Sequence, residues 1–194
     1  MRLQLCLAKI TFACTAILTT SLYLLTQSRT EAKPLPAEAT LSPKQLLLLR
    51  ATEIKIATPT YIPVGFKLEK VQVEANRNTR VGGTNYTIFY RRYDTGSNKD
   101  LCFAIEATNG GIGDLPEGIQ SFPVNSPIFG KTTLEYGRYG QAESSTFLSS
   151  WLGEKRGPFY RFVGAGVIPG FLNCTNLTTQ EATRVTESLR YIKR

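Results

Sequence analysis

The sequence predicts an α+β fold: an antiparallel, curved sheet of five or six strands, with a short N-terminal helix and a C-terminal helix. Three observations carry this expectation. Short segments between residues 66 and 163 alternate apolar and polar side chains and are separated by turn residues. Helix-capping patterns stand at the two ends of this region, at Ser42-Pro43 and at Thr178-Thr179-Gln180-Glu181. No helical pattern separates one strand from the next, so the strands are read as antiparallel neighbours without crossover helices.

The chain opens with an address. Arg2 and Lys9 precede an uncharged apolar run over residues 10–26, and Thr30-Glu31-Ala32 follows with small residues at the −3 and −1 positions of a cleavage site. A basic start, apolar middle and small-residue exit is the pattern of a secretory signal peptide over residues 1–32. The alternative is an uncleaved membrane anchor, because seventeen apolar residues reach the lower limit for a span. Both place the remainder outside the cytoplasm, in a periplasm, a thylakoid lumen or the medium. With the signal removed, no transmembrane span is expected.

Residues 33–42 read as a Pro-containing linker, and residues 43–194 as one domain. Ser42 is placed to cap a short helix whose first residue is Pro43 and whose apolar content is Leu46 to Leu49. That helix either covers one side of the core or makes a one-turn membrane contact. Next comes Pro59-Thr60-Tyr61-Ile62-Pro63-Val64-Gly65-Phe66, where Ile62 to Gly65 fits a type I turn and Tyr61 and Phe66 pin it to the core. Residues 66–75 read as a strand. In residues 85–93, Tyr86, Ile88 and Tyr90 alternate with Thr87, Phe89 and Arg91; in residues 101–108, Leu101, Phe103 and Ile105 share a face. A polar turn over residues 94–98 joins these two strands into a hairpin. Residues 110–130 read as irregular. Further strands are expected at 131–137, 144–152 and 159–163. After the Thr178 cap, Ala182, Val185, Leu189 and Ile192 follow helical spacing as one apolar stripe.

The run from Pro59 to Phe66 resembles the Pro-x-Tyr-Leu-Pro-x-Gly-Tyr opening of a bacterial family of extracytoplasmic domains of unknown function. Pro59, Tyr61, Pro63, Gly65 and Phe66 carry the likeness, and the capped segment 178–189 resembles the family's closing helix. The resemblance covers roughly residues 54–192 and implies an antiparallel sheet in secreted proteins or in the outer portions of anti-sigma-like and sporulation proteins. It implies a distant similarity to curved-sheet periplasmic carriers and regulators of lipoproteins. Its pattern includes neither a disulfide nor the Gly110–Gly113 loop, and it transfers no catalytic residue.

Composition narrows the function. The 194 residues include no His, which excludes a Ser-His-Asp triad, a Cys-His dyad and any His-ligated metal. Of four Cys, Cys6 and Cys14 fall in the signal peptide. Cys102 and Cys174 remain, an even pair in an exported chain, read as one disulfide closing a loop worth about 4 kcal/mol. No metal, cofactor or catalytic site is expected. Gly110-Gly111-Ile112-Gly113-Asp114 lacks the spacing of a phosphate loop, Asp114 and Glu117 are too few for calcium, and Glu106, Glu135 and Glu143 have no spacing that marks a carboxylate pair.

From Thr40 onward, 19 basic and 13 acidic side chains leave a net charge of +6. Arg77, Arg80, Arg91, Arg92, Lys155 and Arg156 form the candidate anion-binding surface. An exported basic domain meets envelope polyanions, lipid or an acidic protein, not nucleic acid. The leading expectation is a non-enzymatic binding or accessory module of the cell envelope. The alternatives are a carrier, which a continuous apolar cavity in the curve of the sheet would mark, and a secreted hydrolase, which a carboxylate-lined cleft would mark.

Overall fold

A computed structural model describes residues 35–76, 83–94, 96, 99–110, 112–113, 117–139, 144–153, 156–167 and 174–193. The expected signal peptide lies outside the described residues. In chain order the elements are α1 (Pro43–Arg50), β1 (Ala57–Pro59), β2 (Lys67–Asn76), β3 (Gly83–Arg92), β4 (Asp100–Thr108), β5 (Glu117–Ser126), β6 (Gly130–Arg138), β7 (Thr146–Ser149), β8 (Leu152–Gly153), β9 (Phe159–Gly164), β10 (Cys174–Thr175), α2 (Thr179–Glu187) and β11 (Leu189–Tyr191).

The antiparallel α+β expectation holds, but the sheet is larger than five or six strands. It has nine among the described residues, in the order β2-β3-β4-β9-β7-β6-β5, with β8 paired to β9 and β10 paired in parallel to the start of β4. The longest of the additional strands, β5, lies in the region read as irregular. β5 contains Gly118 and Pro123, which hide it from a propensity reading. It is an edge strand that pairs, among the described strands, only with β6, and there a residue without an N–H is tolerated. β9 then inserts between β4 and β7, so spatial order departs from chain order at the middle of the sheet.

One face of this sheet carries the core. Tyr86, Ile88 and Tyr90 of β3, Phe103, Ile105 and Ala107 of β4, and Tyr160 and Phe162 of β9 are buried there, as period-2 alternation requires. Phe103 is the centre of a ring stack, with centroids 4.8 Å from Tyr90, 5.6 Å from Phe162 and 5.3 Å from Phe66. Leu49 from α1 and Ala182 and Val185 from α2 seal this face. Both helices start with reciprocal capping boxes. Ser42 and Gln45 exchange bonds at α1, and Thr178 and Glu181 do so at α2. The segment read as a linker joins the domain: Ala39 is buried in the same core, and Glu38 pairs with Lys67 at 2.9 Å.

α2 is shorter than the apolar stripe predicts. It ends at Glu187, where the Ser188 hydroxyl donates to the Val185 carbonyl. Leu189 and Ile192 are not helical: β11 runs antiparallel to β1, with Ala57 opposite Tyr191. Leu189 still reaches the core, because the turn at Ser188 redirects the backbone without turning the side chain outward.

The Pro59–Phe66 run is built around this ribbon. Pro59 lies in β1 opposite Leu189, and the Tyr61 N–H donates to the Ser188 hydroxyl. The turn falls one residue later than expected. The Phe66 N–H bonds the Pro63 carbonyl, so Val64 and Gly65 are its central residues. Gly65 adopts φ +84°, the left-handed conformation that selects glycine.

Candidate functional site

The other face of the sheet holds the candidate site, and the described residues cover it only in part. Side chains that alternate with the core residues point to it. Register then aligns four of them across four adjacent strands: Gln72 on β2 opposite Thr87 on β3, Thr87 opposite Glu106 on β4, and Glu106 opposite Arg161 on β9. Glu74 and Asn85 form a second polar pair beside this row. On the opposite side of the row, Phe89, Ala104, Val163 and Leu148 make an apolar one across β3, β4, β9 and β7. The two sides border a cleft of about 320 Å³, whose lining also includes Tyr139 and Val167.

Arg161 is the most constrained of these groups. Its side chain is 8% exposed, and its Nε donates to Glu106 Oε2 at 2.7 Å. Its guanidinium stands 4.2 Å from the Trp151 ring centroid and 5.8 Å from that of Tyr139. Trp151 is itself oriented by a bond from its indole N–H to the Gly113 carbonyl at 2.9 Å. The Arg161 Nη1 is buried without a hydrogen-bond partner among the described residues. An unsatisfied buried guanidinium nitrogen is costly, and its retention here marks a place where an acceptor is wanted.

Among the described residues, the lining of the cleft carries two carboxylates, Glu74 and Glu106, and one cation, Arg161. The described members of the basic surface expected from the sequence do not line it. Arg91 lies beside the disulfide, between Glu69 at 3.5 Å and Asp100 at 3.3 Å, and its Nη2 is 3.6 Å from Cys174 Sγ. Arg92 stacks on Phe66 and donates to the Val64 carbonyl. Arg156 is exposed. Arg77, Arg80 and Lys155 lie outside the described residues, as do Asp114 and Glu143. Of the other carboxylates named above, Glu135 accepts a bond from Ser121 on β5, and Glu106 belongs to the cleft.

Cys102 and Cys174 are joined in a disulfide, with Cα atoms 5.6 Å apart. It ties β10 to the start of β4 on the same sheet face as the cleft, next to Phe89, Ala104 and Val163. The chain then crosses to the core face to form α2, so the disulfide anchors the stretch before the helix and not the helix itself. The Pro59, Tyr61, Pro63, Gly65 and Phe66 motif belongs to the core side, away from the cleft, and its role is architectural.

Sequence reading named Glu106 without pairing it to Arg161. It missed Gln72, Glu74, Asn85 and Thr87. The alternation in residues 85–93 and 101–108 already puts Thr87 and Glu106 off the core face. The position of β9 beside β4, which brings Arg161 to Glu106, has no local signal.

No protein family, curated protein or solved structure significantly matches the chain.

Proposed function

We propose that this is an exported, non-enzymatic binding module of the cell envelope, whose ligand occupies the cleft on the partly covered face of the sheet. The observation that carries the reading is the in-register row Gln72–Thr87–Glu106–Arg161 beside an apolar row. The row offers amide, hydroxyl, carboxylate and guanidinium groups, both donors and acceptors, at successive strand spacings. The apolar row offers a surface for a ring or a hydrocarbon edge.

That combination suits a neutral, polyhydroxylated ligand of sugar-unit size. A polyanion would meet two carboxylates and one guanidinium. A lipid chain would strand the polar row without partners, at a cost for each group. Two carboxylates line the cleft, the mark named above for a hydrolase; of these, Glu106 is engaged by Arg161 and enters as a positioned acceptor, which favours binding over hydrolysis. The core side, where a carrier would hold its cargo, is filled by the Phe103 ring stack.

Export is supported by the disulfide and by the N-terminal sequence pattern. Among the described residues no helix is long and apolar enough to cross a membrane.

Native mass spectrometry of the protein purified from its own envelope tests the reading. A copurifying species with mass increments of hexose or amino-sugar units, lost in Thr87→Val, supports it. A bound species with acyl-chain masses, retained in that variant, overturns it in favour of a carrier.

A further inference from the structure

A second surface, on the core side of the sheet, has a composition that the binding reading does not use. α1 contains four consecutive leucines, of which Leu49 is buried and Leu46 packs against the core. Leu47 and Leu48 do neither: they are 70% and 45% exposed. Lys44 and Arg50 stand three residues before and after Leu47, on the same side of the helix, and both are exposed. Beyond the helix end the chain passes Glu53 at φ +61°, and a groove of about 430 Å³ opens beside it. Among the described residues, Arg50, Lys55 and Lys193 line that groove with one carboxylate, that of Glu53. The Lys55 ammonium is held 3.6 Å over the Tyr191 ring.

An exposed leucine pair bordered by a groove rich in cations is the composition of an interfacial membrane contact. The apolar pair enters the headgroup boundary while lysine and arginine side chains keep their charges at its polar edge. The charge of the groove is the reason to name an anionic bilayer as the occupant: three cations stand against one carboxylate among its described lining residues.

We infer that α1 and the adjoining groove dock on an anionic lipid surface, with Leu47 and Leu48 inserted among the headgroups and Arg50, Lys55 and Lys193 facing lipid phosphates. This orientation ties the domain to its membrane by a face distinct from the ligand cleft. The attraction is electrostatic in part, so it requires anionic headgroups and weakens as salt rises.

The full chain, reconstituted into vesicles carrying brominated lipid, provides the test. Leu47→Trp adds a reporter at an exposed position beside the chain's single native tryptophan, Trp151, whose signal in the parent is the background. In phosphatidylglycerol vesicles the Leu47→Trp emission is expected to shift to the blue and to be quenched beyond that background. In phosphatidylcholine vesicles that excess quenching is expected to be largely absent. Replacing Arg50, Lys55 and Lys193 together by Gln should lower the docked-to-undocked ratio about a hundredfold, from roughly fivefold per basic side chain.

No quenching beyond the parent in phosphatidylglycerol overturns the proposal. So does equal quenching in both vesicle types. A blue shift in detergent without lipid, together with the mass of two chains, also overturns it, since a second copy would then cover the leucines.

Discussion

Glu106 of β4 and Arg161 of β9 are direct cross-strand partners, bonded Nε to Oε2 at 2.7 Å beneath Trp151. They link the two central strands of the sheet on its partly covered face. One of them, Arg161, brings the buried Nη1 that has no hydrogen-bond partner among the described residues. Removing the carboxylate leaves the guanidinium charge buried and uncompensated. Glu106→Gln is therefore expected to lower unfolding stability by about 2–3 kcal/mol, less than for a fully buried pair because Glu106 is a quarter exposed. Replacing both, as Glu106→Gln with Arg161→Met, should recover part of that loss. Urea denaturation of the two variants measures the difference.

The disulfide closes a loop of 72 residues between β4 and β10. Constraining a loop of that length in the unfolded chain is worth about 4 kcal/mol in the chain-entropy account. The double variant Cys102→Ala, Cys174→Ala should lose stability on that scale. Reductant should shift the urea midpoint of the parent and leave that of the variant unchanged.

Burial pushes the phenols of Tyr86, Tyr90 and Tyr160 well above their ordinary value near 10. Below that pH these tyrosines are protonated in both the folded and unfolded chains and add no pH dependence. Above it the unfolded chain loses the protons while the folded chain keeps them. Stability is thus present below about pH 10 and falls as pH rises, by about 1.4 kcal/mol per unit for each phenol. Tyr90→Phe should reduce the tyrosine contribution to this alkaline slope by about a third, as measured by urea midpoints at successive pH values.

Val64 and Gly65 are adjacent in the turn and should respond oppositely to substitution. Val64 is 90% exposed, and Val64→Ala should change stability by no more than about 0.5 kcal/mol. Gly65 holds φ +84°, and a Cβ there would stand 3.0 Å from Arg92 Cδ. Gly65→Ala is expected to cost about 1–2 kcal/mol. Thermal unfolding of the pair separates a backbone requirement from a merely exposed turn.

Local pattern was enough to read the hairpin of β3 and β4, the two capped helices and the cysteine pair. Each depends on residues close in sequence or, for the cysteines, on a choice among few partners. β5 was not legible, because Gly118 and Pro123 argue against a strand unless its place at the sheet edge is known. The ribbon of β1 and β11 was not legible either: Leu189 and Ile192 keep helical spacing, and only the pairing with Ala57–Pro59, more than 120 residues away, makes them extended. The cleft suffers from the same blindness. Thr87 and Glu106 could be placed off the core face, but Arg161 reaches Glu106 only because β9 lies between β4 and β7. That is a fact of strand order, not of any segment's own residues.

The central claim is that the row Gln72–Thr87–Glu106–Arg161 borders a ligand cleft. Amide NMR titration of the protein with soluble fragments of envelope glycan tests it most directly. The account predicts saturable shifts concentrated at the amides of these four residues and at the Trp151 indole N–H, abolished in Thr87→Val while the rest of the spectrum stays folded. Shifts that avoid this row, or that persist unchanged in the folded variant, would contradict it.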